Sequence, residues 1–116
     1  MIDEVINGYH FRSICETDKE LYMSLKYEAS NYAAAYKAME GLADLSWNED
    51  LAGQDTINMM VFKEPEEAFV AACSFQNIHN DDIQLGYDVV AALRGKGVGT
   101  EVVKNLIVLA HRTFPD

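Results

Sequence analysis

The chain has 116 residues, of which 49% are hydrophobic and 24% are charged, and its formal net charge is −10. This length and composition predict one globular domain over residues 1–116, with a core that needs no disulfide or metal to hold it together. The acidic balance argues against a nucleic-acid partner, which would require a basic face.

Signals for export or membrane insertion are missing from the pattern. No apolar run is long enough to predict a membrane span, so no membrane partner is expected. The acidic start, Met1–Glu4, lacks the apolar stretch of a secretory signal. Cys15 and Cys73 form neither a disulfide framework nor a CxxC metal pair. A cytoplasmic protein is therefore expected.

The first half of the chain predicts one strand and two helices. Tyr9–Ile14 is strand-like, and Thr17–Glu20 has the form of a capping box, with a hydroxyl at the N-cap and a carboxylate three residues later. Apolar residues at helical spacing predict a long helix from there to about Gly41. Leu42–Leu51 predicts a shorter helix or an irregular turn around Trp47.

Three further strands are predicted over Ile57–Phe62, Ala68–Ile78 and Ile83–Val90. The polar turns between them are short, which is typical of an antiparallel meander. Side chains alternate between the two faces of a strand. Tyr87 and Asp88, on the last strand, are therefore expected on opposite faces of the sheet.

The most informative segment is the loop Arg94–Thr100, which leads into an amphipathic helix ending near Thr113. Three of its residues are glycines at alternate positions, with Arg94 before the first of them and Lys96 between the first two. Bare backbone N–H groups at a helix N-terminus attract anions, so the loop predicts a bound anionic group, most simply a phosphate. A Walker A loop is excluded because Lys96 is followed by Gly97, and the spacing GxGxG is not that of a dinucleotide fingerprint.

Gly86–Thr100, with its Arg-x-x-Gly-x-Gly pattern between a strand and a helix, resembles the acetyl-CoA-binding motif of the GCN5-related N-acetyltransferases (GNAT). The resemblance is carried by residues 83–113. It implies an α/β (α+β) domain of the acyl-CoA N-acyltransferase type, with a mixed, mainly antiparallel sheet and flanking helices. In that family the domain continues with a further strand, a helix and a hairpin, so this chain is expected to lack the C-terminal strands.

The resemblance also implies the cofactor site. The co-substrate would be acetyl-CoA, and no metal is implied. The backbone of Tyr87, Asp88 and Val89 would pair with the pantetheine arm, and the Val89 N–H would stabilise the oxyanion that forms on the acetyl carbonyl. The residues expected to bind pyrophosphate are Arg94, Gly95, Lys96, Gly97, Val98, Gly99 and Thr100. The alternative is a helix-entry loop that uses glycines only for tight packing.

Candidates for catalysis and acceptor binding are weaker. Asp88, next to the expected oxyanion position, is a candidate base, and Tyr87 is a second candidate. Both could equally be solvated strand residues. Glu28 and Tyr32 on the first helix are candidates for acceptor contacts, with an ordinary amphipathic helix as the alternative. Gln84 stands where many family members carry a carboxylate, and an amide can position an amine but cannot take its proton.

The function that follows from this resemblance is transfer of an acetyl group from acetyl-CoA to a primary amine by direct attack. Small-molecule amines and protein amines both remain open as acceptors, and the negative charge suits a cation. The alternatives are a non-catalytic CoA-binding or protein-interaction module and an acidic domain that holds another anion in the loop. The open edge of the last strand predicts a homodimer, if the chain is neither a fragment nor a natural short form.

Overall fold

The computed structural model describes residues 1–29, 42–80 and 82–114. Within these ranges the chain forms a single antiparallel sheet with helices on both faces. Short 3₁₀ turns at Glu16–Asp18 and Ala91–Leu93 precede the first and last helices. The strands and helices are, in chain order, β1 (Asp3–Ile6), β2 (Tyr9–Ser13), α1 (Lys19–Ala29), α2 (Leu42–Ala52), β3 (Thr56–Lys63), β4 (Ala68–Gln76), β5 (Gln84–Val89) and α3 (Val98–Thr113).

The five strands lie side by side in chain order, and each neighbouring pair is antiparallel. The predicted meander and the helix after the glycine loop are confirmed. The observed sheet is antiparallel throughout the described residues, and β5 forms one of its edges there.

The first strand of the sheet, β1, is absent from the sequence prediction. It forms a hairpin with β2 through Asn7 and Gly8, which have φ of 49° and 84°. An Asn-Gly pair is the strongest short-range signal for such a turn, and it was available in the sequence. The Asn7 side chain also donates to the Asn105 side chain of α3 over 2.7 Å, and the Tyr9 hydroxyl donates to the Glu101 carboxylate. The hairpin is thereby fastened to α3.

The predicted cap of the first helix, with Thr17 at its start, is wrong. The Asp18 carboxylate instead accepts the backbone N–H of Cys15 over 2.8 Å, and α1 begins at Lys19. Arg12 on β2 positions Asp18 for this contact, because its guanidinium donates to both carboxylate oxygens over 2.8 and 2.9 Å. The predicted helix end near Gly41 lies outside the described residues.

The two faces of the sheet bury separate cores. The larger core lies under α3 and contains fully buried side chains such as Phe11, Phe75 and Leu106. The smaller core lies under α1 and α2. There Trp47 is buried and packs edge-to-face on Tyr22, with ring centroids 5.5 Å apart. Among the described residues, none of the helices has the length and apolar character needed to cross a membrane.

Candidate functional site

The glycine loop has the backbone geometry that its sequence predicts. Gly95 and Gly97 have φ of 78° and 83°, in the left-handed region, and Gly97 is the N-cap of α3. A Cβ added at either position would meet no atom within 4 Å. These glycines are therefore required by the backbone path and leave open space above the loop.

The N-terminal N–H groups of α3 point into that space. The Glu101 N–H donates to the Gly97 carbonyl over 3.2 Å and makes the first hydrogen bond of the helix. By helix geometry, the N–H groups of Val98, Gly99 and Thr100 precede it and have no helical acceptor. Together with the exposed side chains of the loop, they form a positive end that suits an anion.

The start of α3 lies directly against the end of β5. A Cβ at Gly99 would lie 3.4 Å from Val89 Cγ2 and 3.7 Å from Tyr87 Cε2. Arg94 folds back in the same direction, and its Nε donates to the Val89 carbonyl over 3.0 Å. The glycine loop and the edge strand are therefore one continuous surface.

The backbone of Val89 faces the open edge of the sheet. Val90, directly after β5, donates its N–H to the Val70 carbonyl over 3.0 Å, so its polar groups point towards β4. Polar backbone groups alternate along a strand, which turns those of Val89 and Tyr87 outward. The outward direction agrees with the contact from Arg94. Within the part of the chain that is described, the Val89 N–H is thus available to a molecule lying along β5.

A polar pocket of about 260 Å³ lies on the other face of the sheet, between β4, β5 and the helices α1 and α2. Asp88, exposed on β5, borders it. Its other charged or hydrogen-bonding side chains include Tyr22, Lys26, Asp50, Ser74 and Gln76. The pocket and the glycine loop are joined by the short stretch of β5 around Val89.

The inner wall of this pocket is a hydrogen-bonded network around Asp50. One of its carboxylate oxygens accepts both the Tyr22 hydroxyl and the Lys26 ammonium, each over 2.8 Å. Lys26 also donates to the Ser46 hydroxyl over 2.7 Å. Burial raises the pKa of Tyr22 well above its ordinary value, and the Asp50 carboxylate raises it further. The phenol therefore stays a donor throughout the neutral range.

A glycine on β5 shapes the outer wall. A Cβ at Gly86 would lie 2.6 Å from the Gln76 side-chain nitrogen and 2.9 Å from the Ser74 hydroxyl. Gln76 donates to Ser74 over 3.0 Å, so the two side chains lie across the strand where a larger residue would stand. Gly86 thus leaves room for the polar side chains of β4 in the wall of the pocket.

The predicted site residues are only partly brought together. Tyr87 and Asp88 lie on opposite faces of β5, as the alternation predicts, and Tyr87 is 51% exposed. Gln84 is exposed and does not line the described pocket. The Glu28 side chain and the whole of Tyr32 lie outside the described residues.

The Asp50 network was missed in the sequence. Tyr22 and Lys26 are four residues apart on α1, which places them on one helix face and is a usable signal. Asp50 reaches them only because α2 packs beside α1, and no local pattern predicts that contact. Cys73 on β4 is buried, and burial raises its pKa.

A second titratable cluster lies around His10 on β2. Its Nε2 lies 2.5 Å from Asp3, and its Nδ1 lies 3.2 Å from both oxygens of Glu67 and 4.0 Å from Glu64. Among the described residues, His10, Glu64 and Glu67 could hold a metal ion. No sequence motif links them, because they meet only through strand pairing.

The sheet, its flanking helices and the loop at the start of α3 define the acyl-CoA N-acyltransferase fold. The family model described as the acetyltransferase (GNAT) domain matches residues 6–115. The chain therefore belongs to the GNAT acetyltransferase family. A comparison with curated proteins found no significant match.

Solved structures with the same fold share little sequence with this chain. RimL, the ribosomal L7/L12 α-N-protein acetyltransferase in complex with coenzyme A, superposes with a TM-score of 0.70 at 15% identity, over 98% of this chain and 70% of its own. A domain from Methanocaldococcus jannaschii superposes with a TM-score of 0.68 at 15% identity, and the match covers 91% of this chain and 71% of that domain's chain. A chimera of spermidine N-acetyltransferase SpeG from Vibrio cholerae superposes with a TM-score of 0.66 at 13% identity, and the match covers 90% of this chain and 63% of the chimera's chain.

Proposed function

We propose that the chain is an N-acetyltransferase that moves an acetyl group from acetyl-CoA to a primary amine by direct attack. The observation that carries the proposal is the position of the glycine loop. Its free helical N–H groups lie at one end of β5, and the outward N–H of Val89 lies beside them. One molecule with an anionic end and a long polar arm would contact both.

The residues of the loop fit the pyrophosphate of coenzyme A. Gly95 and Gly97 leave open space, and the N–H groups of Val98, Gly99 and Thr100 can donate to phosphate oxygens. Lys96 is exposed beside them. The terminal nitrogens of Arg94 have no acceptor among the described residues, because only its Nε is engaged. The loop would therefore hold the phosphates by backbone and side-chain donors together.

The edge of β5 would position the reacting group. Acetyl-CoA supplies an acetyl group activated as a thioester. The outward backbone of Tyr87 and Val89 would pair with the pantetheine amides, and the Val89 N–H would donate to the acetyl carbonyl oxygen, where negative charge develops. This donor is fixed before the reaction by the strand itself, so it needs no reorganisation.

The acceptor would approach from the pocket on the opposite face. Asp88 borders that pocket and lies next to Val89 in the chain, so its carboxylate can hold an ammonium group close to the proposed reaction position. It would also serve as the acceptor of the amine proton, directly or through a water molecule. Glu28, Tyr32 and Gln84 stay proposed as further acceptor contacts.

A thermal-shift titration with acetyl-CoA tests the first half of the proposal. At a concentration of 100 times Kd, a ligand that binds only the folded state adds about 2.7 kcal/mol of stability. Lys96→Ala should weaken binding, whereas Lys104→Ala, which removes the same charge from an exposed position along α3, should not. Absence of any shift up to millimolar acetyl-CoA would refute both the N-acetyltransferase function and the alternative of a non-catalytic CoA-binding module.

Release of free thiol in the presence of amines tests the second half. An enzyme should release thiol above the rate with acetyl-CoA alone, and Asp88→Asn should slow that release. Binding without release would favour the alternative function, a CoA-binding or protein-interaction module.

The open edge of β5 supports a further, competing proposal: a homodimer that covers this edge, in which a partner strand would occupy the same backbone groups of Tyr87 and Val89 that the pantetheine arm would otherwise use. Leu85 and Tyr87 on this strand are 39% and 51% exposed, and unpaired strand edges favour association. Sedimentation equilibrium over a concentration series tests it. A mass equal to one chain at every concentration would contradict it.

A further inference from the structure

The pocket beside Asp88 has an arrangement of charges that constrains the acceptor. Three of its described lining residues are lysine or aspartate, namely Lys26, Asp50 and Asp88. Lys26 and Asp50 form an ion pair over 2.8 Å, and each is partly buried, with 30% and 25% of its side chain exposed. The two charges therefore cancel within the pocket wall.

Asp88 differs from Asp50 in having no partner in the described part of the chain. Among the described residues no donor or cation contacts its carboxylate, although it belongs to the same pocket. Its proximity to the network is also visible at Tyr22. The pKa of that phenol is raised first by burial, then by Asp50, and in smaller part by the charge of Asp88. The described lining of the pocket thus presents one unpaired carboxylate, Asp88.

The size and the remaining side chains add a second constraint. A volume of about 260 Å³ is smaller than the roughly 300–1,000 Å³ of pockets for drug-sized ligands. Ser74 and Gln76 are polar but uncharged, and they line the same pocket from the neighbouring strand, opposite Gly86 and Gln84. A ligand there would have a short polar group next to its cation.

We propose that this pocket selects a primary amine with a single positive charge next to an uncharged polar group, such as the α-amine of an amino-acid amide or of a peptide N-terminus, and disfavours polyamines. The inference rests on the proposed function, because it names the acceptor class for the same site. Asp88 would hold the ammonium, and Ser74 and Gln76 would bond the adjacent amide or hydroxyl.

Lys26 is the residue that sets this preference. A polyamine brings further positive charges, and the second carboxylate that could accept one of them, Asp50, is already neutralised. Placing another cation near Lys26 would cost electrostatic energy in a partly desolvated wall. Removing the lysine charge would free Asp50 and turn the pocket into one with two unpaired carboxylates.

Calorimetric titration of amines into the protein, with and without saturating coenzyme A, tests the proposal without requiring turnover. The probes are L-serinamide, a short peptide beginning with serine, and spermidine. The wild-type protein should bind at least one of the two α-amines about tenfold more tightly than spermidine. The two α-amine probes distinguish a free amino-acid derivative from a protein N-terminus as the source.

Three variants and one control test the roles of these charges. Lys26→Met should raise spermidine affinity relative to the better α-amine by about tenfold, and adding Asp50→Asn to it should restore the original ratio. Asp88→Asn should weaken the α-amine by about tenfold. Glu49→Gln removes the same charge from an exposed residue that does not line this pocket, and it should leave both affinities unchanged.

The proposal is overturned if spermidine binds the wild type as tightly as the better α-amine, if no amine binds, if Lys26→Met leaves the ratio unchanged, or if Glu49→Gln has the same effect as Asp88→Asn. Failure of coenzyme A to bind would instead contradict the proposed function, while the titrations without it would still decide the acceptor class.

Discussion

The Arg94 guanidinium donates from its Nε to the carbonyl oxygen of Val89 over 3.0 Å, so the glycine loop is tied to the last residue of β5. This bond fixes where the terminal guanidinium nitrogens can lie. The same side chain therefore orients the loop and keeps two donor groups for an anion.

Arg94→Lys should weaken acetyl-CoA binding by about tenfold, because an ammonium cannot reproduce the separate Nε and terminal donors of a guanidinium. Calorimetry with acetyl-CoA measures the change. Arg112→Lys is the matched control, since Arg112 lies on α3 and pairs with Glu4 over 3.4 Å, away from the loop. An unchanged affinity for Arg94→Lys would contradict the role of Arg94.

Gly97→Ala should lower the free energy of unfolding by about 1 kcal/mol, the usual cost of a left-handed conformation for a residue with a Cβ. The cost is conformational alone, because no atom lies within 4 Å of the added carbon. Gly97→Asn should cost less, since Asn tolerates this region better. Urea unfolding measures both, and equal stability of Gly97→Ala and wild type would show that the loop can take another path.

Asp18→Asn should lower the free energy of unfolding at neutral pH by about 2–3 kcal/mol, because it removes one side of a largely buried ion pair with Arg12. Burial by itself would raise the pKa of Asp18, but hydrogen bonds from Arg12 and the Cys15 N–H lower it overall. The stabilisation is therefore present above the ordinary carboxyl pKa and is lost as pH falls through the lowered value.

Urea unfolding at a series of acidic pH values checks this sign. The difference between wild type and Asp18→Asn should shrink steadily in acid. Glu20→Gln, at an exposed position on α1, should show no such convergence. A difference that is constant with pH would contradict the prediction.

His10 should contribute stability that is lost as pH rises, whereas the contribution of Asp18 is lost as pH falls. The Asp3 hydrogen bond raises the pKa of His10, burial opposes this, and Glu67 adds to the increase. A raised pKa means that the stabilisation is complete below the ordinary value of about 6.5 and disappears as pH rises through the raised one. His10→Gln should therefore flatten the pH dependence of unfolding across that interval.

The groups facing His10 are Asp3, Glu64 and Glu67, and the titration of its ring protons by NMR measures the combined effect. Asp3→Asn should lower the measured pKa. A histidine that titrates at or below its ordinary value would contradict the arrangement.

The sheet shows where sequence patterns suffice. β3, β4 and β5 are predicted because apolar runs are separated by short polar turns, and hairpin neighbours in the chain become neighbours in the sheet. β1 was missed because its four residues are too few for a clear pattern, although Asn7 and Gly8 carried the turn signal. The cap of α1 was misplaced because Arg12, on another element, determines the position of Asp18.

The sequence by itself determined the glycine loop and its place between β5 and α3, since positive φ, bare backbone and helix start are all local properties of Arg94–Thr100. Only the tertiary structure decided what lies across the sheet from it. Asp50 meets Tyr22 and Lys26 through the packing of α2 against α1. Side chains so far apart in the chain are brought together by burial of apolar surface, which acts on whole elements and leaves no trace in local spacing.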